Sequence, residues 1–358
     1  MGRKILVHRS GAVVLKTKKQ SLRIIHACNL YFNRDGTRFD SMDARIQLGL
    51  TENGYYVHPF SIHDMARQLS WRCDKKAGAK RANQALIEIC KNINPDILLL
   101  GHSQSITYQT LEIIRKNQPN IKIAQWFCDW FYSKQREKFQ FIYDRLPLLD
   151  AFFGTTSGDK INSFAQQGCR ATYFPNMTHL GIEKHQSFNQ KKHEYDLIFM
   201  GVDKRDPIRH QLLLELKAQL GTRFKFGIFG SLGEARIYGP KKERILASSK
   251  AALNLTRLPE QMKWYSSDRI ASLLGNGLLT CTQTDPDLHE LYGKDAMIYY
   301  SSTQDLIAQL ENALISDQWR KTAEKGWEIT HELFNAKRIT SLMIEFIYNQ
   351  RDDCLNLF

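Results

Sequence analysis

From residue 21 onward, short apolar runs of strand length alternate with helix-length stretches whose apolar residues recur every three or four positions. LRIIHAC (22–28), YYVHPFS (55–61), DILLLGH (96–102), KIAQWFC (122–128), AFFGTT (151–156) and ATYFPN (171–176) predict strands. After the first, Phe39, Met42, Ile46 and Leu50 share a helical face that Gly54 ends. Residues 72–93 predict a basic helix with Leu86, Ile89, Cys90 and Ile93 on its apolar side and Asn94-Pro95 as its stop, and a further helix covers 106–116. The rhythm lapses over 177–193. It resumes with strands DLIFMG (196–201), FKFGIFG (224–230), AALNLT (251–256), GLLTCT (277–282) and AMIYYS (296–301), separated by helices over 207–220, 240–248 and 268–276.

Thr303 is placed to cap a helix over 304–315. The tail from Trp319 to Tyr348 reads as helical and amphipathic. Its apolar residues, among them Trp327, Phe334, Leu342 and Phe346, exceed what a free helix shows, so it is expected to pack back across the molecule. Strands alternating with helices of ten or more residues argue for α/β architecture with parallel sheets covered on both faces. Such sheets take ligands at the carboxyl ends of their strands. The expected division is a basic extension (1–20), a Rossmann-like domain (21–176), a linker (177–193), a second Rossmann-like domain (194–330) and a returning helical segment (331–358).

Composition adds little until charge is considered. The chain has 358 residues, with 42% hydrophobic and 24% charged, which suits two soluble domains. Its seven cysteines are scattered with no C-x-x-C pair, which argues against a disulfide framework or a structural zinc site and fits reduced thiols in the cytosol. No apolar run approaches the ~20 residues that span a bilayer, and His8 and Arg9 interrupt the N-terminal apolar stretch, making a poor signal peptide. The net charge of +13 calls for an anionic partner. Residues 1–34 hold eight Lys and Arg and no Asp or Glu. That segment reads equally well as a solvated tail or as a peripheral attachment to an anionic membrane face. The basic stretch 75–81 reads as the solvated face of a helix, and no helix-turn-helix or aromatic-interleaved basic platform points to nucleic acid.

The segment 266–301 carries the most chemistry. Ser266 and Ser267 can cap a helix with Arg269 in its first turn, Gly275 and Gly277 let the helix end and reverse, and LLTC enters the sheet. A helix N-terminus with an arginine at the lip of a parallel sheet suits a diphosphate. This order, closing on Glu290-Leu291-Tyr292-Gly293, resembles the donor half of the glycosyltransferases group 1 superfamily, most closely its spore-maturation-protein-B branch. DILLLGHS (96–103) and WFCD (126–129) look like the acceptor half of the same branch. The resemblance implies the GT-B fold, two Rossmann-like domains facing across a cleft. It also implies transfer of a sugar from a nucleotide-sugar co-substrate to a saccharide or lipid-linked acceptor, in bacterial envelope polysaccharide synthesis. No resident cofactor is expected.

In that frame Arg269, Ser266 and Ser267 would hold the diphosphate, with Lys204 and Arg205 as a second contribution. Gly201 and Gly230 close strands where a nucleotide approaches backbone. Phe229 lies near the base, and Glu290 could accept ribose hydroxyls. Many superfamily members carry a Glu three residues after the arginine, where this chain has Ser272. An inverting enzyme also needs a base. Asp129, Asp40 with its neighbour Asp43, and His102 qualify by position, and Asp129 ranks first because Trp126 and Trp130 flank it. Each has a plainer reading, as a loop cap, a first-turn helix residue or a strand-end hydrogen bonder. Asp285-Pro286-Asp287 reads as a turn, so no obligatory metal is expected. Two alternatives share the fold: an epimerase or hydrolase acting on the nucleotide sugar alone, and a non-catalytic binding protein.

Overall fold

The structure is a computed structural model that describes residues 21–32, 35–129, 137, 139–203, 206–256, 260, 262–350 and 352. The basic extension, Lys204, Arg205 and Trp130 lie outside the described residues. The expected strand runs form two wholly parallel sheets. The first contains β1 (Arg23–Cys28), β2 (Tyr56–Ser61), β3 (Ile97–Leu100), β4 (Lys122–Phe127), β5 (Ala151–Gly154) and β6 (Ala171–Tyr173), in the order β2-β1-β3-β4-β5-β6. The second contains β7 (Tyr195–Met200), β8 (Phe226–Phe229), β9 (Ser249–Asn254), β10 (Leu279–Gln283) and β11 (Ile298–Tyr300), in the order β11-β10-β9-β7-β8.

The unbroken apolar runs follow from this burial. Ile24, Leu99, Trp126 and Phe153 pack on one face of the first sheet, and Ile25, Leu98, Leu100 and Phe152 on the other. A sheet covered on both faces needs no polar alternation. Each sheet also has one place where the strand order reverses, between β1 and β3 and between β7 and β9. Connections leave such a point in opposite directions and open a crevice at the strands' carboxyl ends.

The segment 177–193 is not a polar tether. Ile182, Glu183 and Phe188 are buried, and the Glu183 carboxylate takes Arg45 Nη2 at 2.5 Å and the His179 N–H at 2.9 Å. Arg45 also donates to the Ser272 hydroxyl at 3.0 Å. One buried guanidinium thereby joins the helix Met42–Glu52, the segment between the sheets and the helix Arg269–Gly275.

The tail is helical and packs back as expected but divides in two, and two other expectations need correction. The two tail helices are Trp319–Leu333 and Ala336–Ile347. They break where Thr178 takes both the Phe334 carbonyl and the Ala336 N–H, and Asn335 caps the second. That second helix returns to the first sheet and packs on the helix Met42–Glu52, with the Phe346 ring 5.5 Å from Phe153. Ser302, not Thr303, caps the helix Thr303–Ile315, because its hydroxyl reaches the Asp305 N–H. The basic helix begins only at Ala79. Lys75 and Lys76 sit in the preceding turn, where Asp74 accepts backbone N–H groups at 2.9 Å.

Candidate functional site

Both reversal points open into one cleft, as two adjoining cavities that share Arg38, Ser41 and Asp268. The cavity beside the second sheet, about 380 Å³, is lined by the cations Arg38, Arg209, Arg236, Lys242 and Arg269 against the carboxylates Asp40 and Asp268. Strand-end carbonyls hold two of these guanidinium groups. Arg269 donates to Met200 O at 2.7 Å and Leu255 O at 3.3 Å, and Arg209 to Val202 O at 2.7 Å and Leu255 O at 2.6 Å. Both therefore lean on the carbonyl of Leu255, and Arg269 also lies over the Phe199 ring at 5.2 Å. Burial, and then the charge of Arg209, pull the Arg269 pKa down to about 10, so it remains a cation at neutral pH. Arg209 sits in the first turn of the helix Pro207–Leu220, which Asp206 caps and Pro207 begins.

Two glycines are required here by protein packing. A Cβ on Gly201 would lie 2.6 Å from the Phe199 ring and 3.1 Å from Arg269 Nη2. Gly230 has φ +86°, and a Cβ there would meet Gly201 O at 2.6 Å. Gly201 and Phe229 line the cavity.

Beside the first sheet lies the larger cavity, about 990 Å³. The loop after β3 brings His102 to it, and the buried Asp43 accepts from His102 Nδ1 at 3.2 Å and from the Asn29 N–H at 3.1 Å. In the neutral ring, with Nδ1–H donated to Asp43, Nε2 bears the lone pair. The imidazole is positioned by packing. Trp126 meets it edge-on, with ring centroids 5.1 Å apart, and Trp126 is itself fixed by donating to His26 Nε2 at 3.2 Å. Arg145 braces the same loop through Ser103 O at 2.8 Å.

Burial opposes the imidazolium. The Cys128 sulfur, when ionised, and the Asp43 carboxylate favour it, and the His102 pKa stands above an ordinary imidazole's. Burial holds the Cys128 thiol up at about 11, so around neutrality the sulfur is uncharged and Asp43 is the partner that matters. For Asp43, burial opposes the carboxylate, but the His102 hydrogen bond wins and its pKa is lowered.

The structure separates the candidate bases. Asp40 forms an ion pair with Lys242 from the opposite side of the cleft and titrates below the usual range; burial opposes that shift and Lys242 drives it. Asp129 lies 3.8 Å from His102 Nε2 with its side chain 63% exposed. Its setting between the two halves raises its pKa, through desolvation first and then the charges of Asp268 and Asp43, with His102 opposing. His102 is the one held by a buried partner.

On the other wall, Ser266 and Ser267 do not cap the helix. Asp268 occupies the cap position without a side-chain bond. The Ser266 hydroxyl accepts from Asn254 Nδ2 at 2.9 Å, and the Ser267 hydroxyl donates to Asn254 Oδ1 at 3.3 Å, so both brace the end of β9. Glu290 lies outside both cavities, engaged by Trp264 Nε1 at 2.8 Å and Lys263 at 3.0 Å. Arg38, Arg209, Arg236 and Lys242 line the cavity without being among the expected donor-site residues. Arg209 alone carried a local signal, the Asp-Pro helix start two residues before it.

Residues 205–344 match the family model described as glycosyl transferase-like. No curated protein matches the sequence. Solved structures match over nearly the whole chain at low identity. HepE from Anabaena, solved in complex with UDP, has a TM-score of 0.57 at 9% identity, covering 92% of this chain and 100% of that one. AviGT4, a glycosyltransferase involved in avilamycin A biosynthesis, has a TM-score of 0.54 at 11% identity, covering 92% and 98%. UDP-N-acetylglucosamine 2-epimerase from Neisseria meningitidis, bound to UDP-GlcNAc, has a TM-score of 0.52 at 12% identity, covering 92% and 100%. At these identities the likeness speaks for fold alone. The chain has the two-domain GT-B fold, and its residues 205–344 match a glycosyl transferase-like family model.

Proposed function

We propose that this protein is a glycosyltransferase that moves a sugar from a nucleoside-diphosphate sugar to a hydroxyl of a saccharide or lipid-linked acceptor. One observation carries the reading: the guanidinium pair Arg209–Arg269 and the Asp43–His102 pair open into adjoining cavities of one cleft. A leaving nucleoside diphosphate needs fixed positive charge, and the arginines supply it without a metal. An acceptor hydroxyl needs a proton acceptor, which His102 Nε2 provides, with Asp43 orienting the ring and stabilising the imidazolium. In the step, the acceptor oxygen bonds to the anomeric carbon, the bond to the phosphate oxygen breaks, the proton passes to His102, and the configuration inverts. Uridine diphosphate is the proposed carrier because HepE binds UDP in the same fold. Lys204 and Arg205 follow β7 and are proposed to contact the same phosphates.

The spore-maturation-protein-B branch, the envelope-polysaccharide role, and a cytoplasmic location with membrane attachment through residues 1–34 belong to the same proposal. No described helix is long and apolar enough to cross a membrane. The test is incubation of the full chain with UDP-sugars, with and without saccharide acceptors, followed by mass spectrometry. Sugar appearing on an acceptor supports transfer. Conversion of the donor equally well without acceptor would mean epimerisation or hydrolysis, and failure to bind any nucleotide would mean a non-catalytic role.

A further inference from the structure

We propose that His102, Cys128 and Asp129 form a metal site for a zinc-class divalent cation at the acceptor end of the cleft. Their ligand atoms all lie within 4.8 Å of one another. Cys128 Sγ is 3.6 Å from His102 Nε2, and Asp129 Oδ2 is 3.8 Å from the same nitrogen. Tetrahedral coordination with Zn–N and Zn–O near 2.0–2.1 Å and Zn–S near 2.3 Å requires ligand atoms roughly 3.3–3.6 Å apart. The nitrogen and sulfur already meet that spacing, and the Asp129 oxygen, 3.8 Å from Nε2 and within 4.8 Å of the other ligand atoms, must move inward on its exposed side chain to close it.

Three further features fit a metal better than a chance cluster. Asp43 accepts from His102 Nδ1, which fixes the ring and leaves Nε2 as the ligand atom, the carboxylate–histidine arrangement common behind metal-bound imidazoles. The donors supply neutral nitrogen, thiolate and carboxylate, a total charge of −2 that balances a divalent ion. The thiolate selects zinc or cobalt over magnesium or calcium. Cys128 and Asp129 follow β4 and His102 follows the neighbouring β3, so the sheet itself brings the three together. His102, Cys128 and Asp129 all line the 990 Å³ cavity, onto which a fourth coordination position opens. Binding displaces to solvent the Cys128 proton and, where His102 is an imidazolium, its Nε2 proton, and involves no redox step.

The site stands on geometry alone. Its consequence rests on the transferase reading: an ion on Nε2 removes the lone pair that takes the acceptor's proton, so the metal-loaded protein does not transfer. The ion is a brake, not a cofactor.

The experiment is titration of the full, chelator-stripped chain with Co(II). The expected result is a thiolate-to-cobalt charge-transfer band that saturates at one cobalt per chain and disappears on adding Zn(II). Cys128→Ser should lose the band, and Asp129→Asn should weaken cobalt binding at least tenfold. Cys73→Ser, which removes an exposed thiol, should leave the band intact. No band in the wild-type chain, or a band that survives in Cys128→Ser, would overturn the site. Asp129→Asn alters an exposed side chain, so it keeps the test decisive if Cys128→Ser does not fold. Zinc that binds while transfer continues would leave the site standing and remove His102 as the base.

Discussion

At the reversal point of the second sheet, two guanidinium groups lean on strand-end carbonyls. At the reversal point of the first, an imidazole leans on a buried carboxylate. The topology is the same and the electrostatics differ. The arginines on the donor side remain charged across the physiological range, so nucleotide affinity should vary little with their protonation. On the acceptor side, burial opposes the imidazolium but Asp43, with the Cys128 sulfur, holds the His102 pKa up, so on the proposed reading the proton acceptor is available only as pH rises. On the proposed reading, one wall supplies permanent charge for binding and the other a titrating group for chemistry.

The largest effect expected from breaking that contrast is on turnover. His102→Ala should lower transfer about 10²–10⁴-fold, the usual size of a lost general base, and leave nucleotide affinity unchanged. Asp129→Asn should retain most of the activity, and steady-state kinetics at saturating donor would distinguish the two. Next is the fastening that both walls share. Glu183→Ala leaves the buried Arg45 without its carboxylate and should cost about 3–5 kcal/mol of stability, measured by urea unfolding. Arg269→Ala should weaken nucleotide binding by about 1–3 kcal/mol without unfolding the chain.

The pH profile should then show the asymmetry directly. The acid limb of kcat/KM should lie above the ordinary imidazole range, because Asp43 favours the protonated, inactive form. Asp43→Asn removes that stabilisation and leaves burial to dominate, so the limb should move to lower pH while nucleotide affinity keeps its flat pH dependence. Glu290→Ala should be the smallest change, below about 0.5 kcal/mol in stability and in nucleotide affinity, since the side chain is a surface partner of Lys263 and Trp264.

How far the site could be read in the sequence depended on how local each determinant is. The strand runs were legible because doubly covered strands are continuously apolar, and the place of Arg269 on the cavity wall was legible because it stands at a helix start beside such a strand. Asp43 and His102 are 59 positions apart and could not be paired by spacing, since only the β1–β3 neighbour relation brings them together. Asp40 looked like a free first-turn carboxylate, yet its partner Lys242 is 202 positions away on the other half. Ser272 read as the loss of an expected glutamate. In the structure its hydroxyl belongs to the Arg45–Glu183 pair, with the acid supplied from residues that looked like a polar linker.

The most direct test of the two-walled cleft is calorimetric titration of UDP into the full chain and into the Arg269→Ala and His102→Ala variants. The expected result is binding by the wild type, unchanged affinity in His102→Ala, and affinity weakened by about 1–3 kcal/mol in Arg269→Ala. No binding by the wild type, or equal losses in both variants, would contradict the division of the cleft into a charge-holding donor wall and a proton-taking acceptor wall.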